Sequence, residues 1–189
     1  MKTSDLKLSE ADCRVLEVTR LWLERAVIGL NLCPFARAEY VNKRIAYRIS
    51  RATQAGELLE DLSRSIEFLR STNQAQCETL LLIHPDTLTD FSDYNQFLEE
   101  ADDLVRRLGM EGIFQIASFH PKYQFAGTEI DDITNQTNRS PYPLLHLLRE
   151  ASVERAAGPK ESEEIVQRNL ATLRQMGQAG WDALAIPKS

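Results

Sequence analysis

Residues 118–150 read S-F-H-P-K-Y-Q-F-A-G-T-E-I-D-D-I-T-N-Q-T-N-R-S-P-Y-P-L-L-H-L-L-R-E, and how this stretch divides decides the fold. Ser118 and Phe119 close a run that begins at Ile113 and reads as a strand, ended by the His120-Pro121 step. About twenty residues then follow with neither a helical nor a strand period, a loop longer than compact domains usually carry without a purpose. Ser140 with Pro141 behind it has the chemistry of a helix start: a serine to cap, then a proline where no backbone N–H is needed. On that reading a helix runs on through Leu144-Leu145-His146-Leu147-Leu148 and closes at Gly158-Pro159.

Upstream of this stretch the periodicities alternate. Ser9 is a serine cap with Asp12 three residues on, opening a helix to about Leu30 that Pro34 ends. Lys43 to Ser50 alternates apolar and polar residues, as an edge strand does, and Leu58, Leu62, Ile66 and Leu69 stripe a helix from about Thr53 to Arg70. Thr79 to Ile83 is unbroken and apolar, the pattern of a strand covered on both faces. Asp90 caps a third helix that Gly109 closes, and a last helix runs from about Pro159 to Met176. Strand, helix, strand, helix, strand predicts an α/β fold: a small, mainly parallel sheet of three or four strands with a βαβαβ core, flanked by helices, with further helices at both termini. A ferredoxin-like α+β sheet containing antiparallel pairs is the alternative.

A single domain over residues 1–189 suits this length, with a core at about 9–176 and a tail, 177–189, held loosely by Trp181, Leu184 and Ile186. At 43% hydrophobic and 26% charged residues the composition excludes a disordered or fibrous chain. A net charge of −6 argues against nucleic acid, whose phosphates call for a clustered basic face. The longest unbroken apolar run, Leu80 to Ile83, is far short of a membrane span. The N-terminal residues lack a hydrophobic signal core, and the three cysteines are odd in number and widely spaced, so a cytoplasmic protein with reduced thiols is expected.

Chemistry concentrates at the strand ends. Ile83 is followed by His84-Pro85-Asp86 and Phe119 by His120-Pro121-Lys122, and in open α/β sheets ligands bind beyond the carboxyl ends of the strands. The leading expectation is therefore an enzyme acting on a small anionic, phosphate- or carboxylate-bearing substrate. His120 and His84 would serve as acid and base, Asp131 or Asp132 would orient a histidine, and Arg139, Ser140, Lys122, Arg51, Asn135 and Asn138 would bind the substrate. A helix beginning at Ser140 would add its N-terminal N–H groups to the anion site, unless Arg139 merely pairs with Asp131 or Asp132 to pin the loop. His146, Arg149 and Glu150 would share one face of that helix. Cys33, in Asn31-Leu32-Cys33-Pro34-Phe35-Ala36, is a candidate nucleophile if a neighbouring cation or base lowers its pKa, and otherwise a buried inert thiol. A metal-dependent hydrolase using His120, His146 and Asp131 is one alternative, although no tight ligand spacing supports it, and a non-catalytic ligand-binding or assembly module is another. No cofactor and no oligomeric state follow from these residues.

The segment Asn31-Leu32-Cys33-Pro34-Phe35-Ala36, taken with the string from Ser118-Phe119-His120-Pro121 through Asn138-Arg139-Ser140-Pro141-Tyr142-Pro143 to His146-Leu147-Leu148-Arg149-Glu150, resembles a bacterial family known only as a domain of unknown function. The likeness covers roughly residues 10 to 175. It implies a single-domain soluble bacterial protein and transfers no activity, cofactor or catalytic residue.

Overall fold

The computed structural model describes residues 8–156 and 159–187. Helix α1 (Glu10–Trp22) starts where the sequence places it, with Ser9 and Asp12 forming a reciprocal capping box. It continues as a π-helical segment, Leu23–Ile28, closed by the bond from Gly29 N–H to the Glu24 carbonyl at 2.9 Å. Gly29 is required there: a Cβ would lie 2.2 Å from the Arg25 carbonyl oxygen. Next come the short helix α2 (Ala36–Val41), strand β1 (Ile45–Ile49), helix α3 (Ala55–Ser71), strand β2 (Thr79–Ile83) and helix α4 (Phe91–Arg107). Asp90 caps α4 through the N–H groups of Ser92 and Asp93, and Arg106 and Arg107 occupy its last turn, where cations oppose the helix dipole. Strand β3 (Phe114–Phe119), a 3-10 turn (Ile133–Thr137), strand β4 (Leu144–Arg149) and helices α5 (Glu150–Ala156) and α6 (Pro159–Asp182) complete the order.

The α/β class stands, and β1 is an edge strand as its alternation requires. The pairing differs from a mainly parallel sheet. The order is β1-β2-β4-β3, with β1 and β2 parallel while β4 runs antiparallel to both β2 and β3. Three strands do point the same way, but Leu144–Arg149, read in sequence as helix, is a strand inserted between β2 and β3. Leu-Leu-His-Leu-Leu-Arg carries no period that separates a buried strand from a buried helix, and leucine's helix propensity tips the local reading the wrong way. Burial between two strands overrides that preference: Leu144, Leu145 and Leu147 are all fully buried.

The register sorts side chains onto two faces. Leu80, Leu82, Leu145, Leu147 and Phe114 pack against Leu58, Leu62, Ile66 and Leu69 of α3 and Tyr94, Phe97, Ala101 and Val105 of α4, so both crossover helices cover one face. Leu81, Ile83 and Leu144 face the other way, onto Val15, Trp22, Leu23, Ala26 and Val27. Trp181, Leu184 and Ile186 pack onto this second cluster, and Arg25 donates to the carbonyls of Leu184 and Ala185, so the segment after Gly177 is fastened to the π-helical segment that continues α1. Tyr94 ties the layers together. Its hydroxyl donates to the Leu144 carbonyl (2.9 Å) and accepts from the Phe119 N–H (3.0 Å), joining α4 to both β4 and β3. Among the described residues no helix is long and apolar enough to cross a membrane.

Candidate functional site

His84 and His120 reach the same edge of the sheet, on either side of Tyr94. The His84 ring stacks on Tyr94 at 5.8 Å between centroids and the His120 ring sits 5.0 Å from it, with Phe91 against His120 at 5.4 Å. Both histidines are 0% exposed. His84 Nδ1–H donates to the Thr87 carbonyl (2.9 Å), and its Nε2 is sealed without a partner. His120 Nε2–H donates to the Leu88 carbonyl (3.2 Å) while Nδ1 accepts from the Lys122 N–H (3.0 Å), so both of its nitrogens are engaged. Burial pushes the His84 pKa down to about 4 and lowers that of His120, so both rings are neutral at neutral pH. Each ring holds the turn that follows its strand.

The loop between β3 and β4 turns its polar residues inward. Asn135 is fully buried: its Oδ1 accepts from Phe125 N–H (3.0 Å) and Thr128 Oγ1 (2.9 Å), and its Nδ2 donates to the Glu129 carbonyl (2.8 Å). Asp132 caps the 3-10 turn through the N–H and hydroxyl of Thr134, which lowers its pKa. Asn138 Nδ2 donates to the Ser118 carbonyl, and its own carbonyl accepts from His120 N–H. Ser140 Oγ donates to the Tyr142 carbonyl at 2.6 Å and opens no helix, because β4 begins four residues later. A long loop at the protein surface must satisfy its backbone groups from within, and these side chains do so.

Four of the residues expected to bind substrate, or to orient the groups that do, nevertheless gather around one space. Lys122, Asp131, Arg139 and Ser140 line a groove of about 960 Å³, whose opposite wall is Trp181, Asp182, Ile186 and Pro187, with Trp22 at its floor. Arg139 pins the loop, but through carbonyls: Nε donates to Tyr123 (2.9 Å) and one terminal nitrogen to Ile130 (2.6 Å). Its other terminal nitrogen has no partner among the described residues, and no carboxylate forms an ion pair with the guanidinium there. Burial alone lowers its pKa, with no acid offsetting the effect. Asp131 is exposed, and Asp182 accepts from Gln178 at 2.8 Å.

The remaining candidates lie elsewhere. Arg51 pairs with Asp12 and Asp86 at the start of α1, about half exposed. His146, on a strand rather than a helix, does not share a face with Arg149. It points under α1, while Arg149 crosses to the C-terminal end of α3 and donates to the carbonyls of Leu69 (2.7 Å) and Thr72 (3.1 Å). The structure does not bring His120, His146 and Asp131 together: His146 lies in the sheet under the N-terminal helix, while Asp131 is exposed on the loop. Among the described residues no three His, Cys, Asp or Glu side chains assemble as a metal ion would need. Cys33 is partly exposed beside the π-helical segment, and burial raises its pKa, so at neutral pH it is a thiol. Sequence reasoning missed the surroundings of His146 altogether; the signal that could have found them was the leucine run on both sides of it, four residues of which fit a strand buried on two faces.

Fold and groove together define an α/β protein with an open, partly cationic cleft between its longest loop and its C-terminal segment. The chain belongs to the protein family of unknown function DUF1415, which matches residues 14–183. No curated protein and no solved structure matches it.

Proposed function

We propose that the protein binds a small molecule carrying a carboxylate or phosphate, held in the groove by Arg139 and Lys122 with its apolar part against Trp181 and Ile186. The observation that carries this reading is the Arg139 guanidinium: half-buried, fixed in place by two backbone carbonyls, and without a counter-ion among the described residues. A desolvated cation lacking a partner is costly, and an incoming oxyanion would relieve that cost through charge-assisted hydrogen bonds. Lys122, on the same rim, supplies a second positive charge. The reading favours binding over proton transfer, since His84 and His120 present no free nitrogen to the groove.

Calorimetric titration with phosphate and with benzoate tests it. Saturable one-to-one binding of either, weakened about tenfold or more in Arg139→Gln and less in Lys122→Gln, is the expected result. Binding that is absent, or indifferent to Arg139→Gln, would refute the assignment. Benzoate binding without phosphate binding would show that the apolar wall contributes to recognition.

A further inference from the structure

A second space lies on the sheet face beneath the π-helical segment, over the amino ends of β1 and β2 and away from the loop. It is a cavity of about 400 Å³ walled by Trp22, Leu23, Val27, Phe119 and Leu148, with Cys33 on one side and His146 in the sheet beneath it. This size, and walls that are mainly apolar with the charged groups gathered at the outer end, are those of a small-molecule site. Local backbone irregularity clusters around it. The π-helical segment supplies Leu23 and Val27, while Asn31 and Lys43, at the two ends of the Leu32–Asn42 connection, have φ of 54° and 55°. Left-handed backbone at non-glycine residues and π-helical turns both concentrate at functional sites.

The polar chemistry of the cavity centres on one ring. Thr79 Oγ1 donates to the Leu147 carbonyl at 2.6 Å, so the 2.6 Å contact between that oxygen and His146 Nε2 must be donated by the histidine. The proton is therefore on Nε2, and Nδ1 is an acceptor. Nδ1 has no partner among the described residues and is not among the buried polar atoms sealed from solvent. Burial pushes the ring's pKa down to about 4, which keeps it an acceptor at neutral pH. A backbone carbonyl at the far end of the relay prevents Thr79 from reversing its role, so the tautomer is set by the sheet itself. The charged groups at the cavity's outer end have partners within the chain: Arg44 pairs with Glu39 at 2.8 Å, a terminal nitrogen of Arg149 donates to the end of α3, Glu78 accepts from Gln74 at 3.3 Å and Arg155 donates to Ser152 at 2.9 Å.

We infer that this cavity is a binding site for an uncharged, largely apolar molecule that carries one hydrogen-bond donor, a phenolic or alcoholic hydroxyl, which meets His146 Nδ1. The apolar walls take the body of the ligand and the fixed acceptor selects its donor. A site built to hydrogen-bond a hydroxyl discriminates strongly against the analogue that lacks it, because the acceptor is then left buried and unpaired.

Naphthol and its methyl ether separate the idea from simple apolar filling, since they share a body and differ in the donor. The expected result is one-to-one binding of naphthol at least about tenfold tighter than the ether, with the Nδ1 resonance of His146 displaced by naphthol alone. His146→Phe, which keeps the ring volume, should abolish the preference while leaving weak binding of both. Thr79→Val, which releases the tautomer, should reduce the preference without removing the ring. Equal binding of the two compounds, a preference that survives His146→Phe, or no binding of either would overturn the inference. Neither compound carries an anion, so the outcome is independent of Arg139.

Discussion

In the loop between β3 and β4, Asn135 engages Phe125, Thr128 and Glu129, Asp132 engages Thr134, and Asn138 engages Ser118. Beneath the N-terminal helix, His146 engages Thr79 with one nitrogen and keeps the other. The first region is dense in polar side chains and the second has fewer, yet each keeps free valence for a ligand. Polar density in a sequence measures how many backbone groups need partners as much as it measures chemistry on offer. The loop has about twenty residues outside helix and strand, and most of its side-chain donors and acceptors go to supporting them. Arg139 and Lys122 are what it has left over for a ligand.

The contrast can be tested most forcefully with acid. His84 and His146 both have folded-state pKa values near 4, below the ordinary 6.5. The unfolded chain therefore takes up protons first as the pH falls. Their contribution is fully present above pH 6.5 and is lost as the pH drops from 6.5 toward 4. For His84 alone the loss is roughly 3 kcal/mol. Urea unfolding across that window should show the decline, and His146→Phe should remove only the share that belongs to the cavity. A pH-independent stability would mean that neither ring is held neutral by burial.

Next in size is Asn135→Ala, which leaves the part-buried Phe125 N–H and the Glu129 carbonyl without their side-chain partner and empties a fully buried position. A loss of about 3 kcal/mol in urea unfolding is expected, with the naphthol preference of the cavity unchanged. Should the preference fall as well, the two regions are not separate. Thr79→Val should cost about 1 kcal/mol of stability, the worth of one hydrogen bond, and act chiefly on ligand choice. Arg51→Ala should be the mildest change, under about 1 kcal/mol in moderate salt, because its pairs with Asp12 and Asp86 are solvent-screened. A larger effect there would restore Arg51 to consideration as a ligand-binding residue.

Much of the fold was legible because it rests on local signals. The Ser9–Asp12 box, the Asp90 cap, the alternation of β1 and the unbroken run of β2 each declare themselves within a few residues. Leu144–Arg149 was not legible, because its identity is settled by partners far along the chain. Nothing within the segment distinguishes a strand between β2 and β3 from one side of a buried helix. The error spread from there. With β4 read as helix, Ser140 became a cap, His146 and Arg149 became neighbours, and the cavity had no floor. The histidines at the strand ends were placed correctly at one edge, but their exposure was not knowable, since it depends on Tyr94 and Phe91 closing over them.

The position of β4 also governs the order in which the molecule can be made. Of the sheet's four strands it is the last to leave the ribosome and one of the two at the centre. Its hydroxyl-to-imidazole link to β2, Thr79 to His146, joins residues 67 positions apart. Until residue 149 emerges, the nascent chain has a β1-β2 pair whose β2 margin, central in the finished sheet, is open, and a β3 with no partner. Pairings over such separations form slowly, and unpaired apolar strand edges are prone to stick to one another. The early chain thus has helices to cover the two faces of β2, α3 and α4 on one and the N-terminal helix on the other, but no strand for its open margin, and chaperone dependence during synthesis should end with the emergence of Leu144–Arg149 rather than with that of the C-terminal helix.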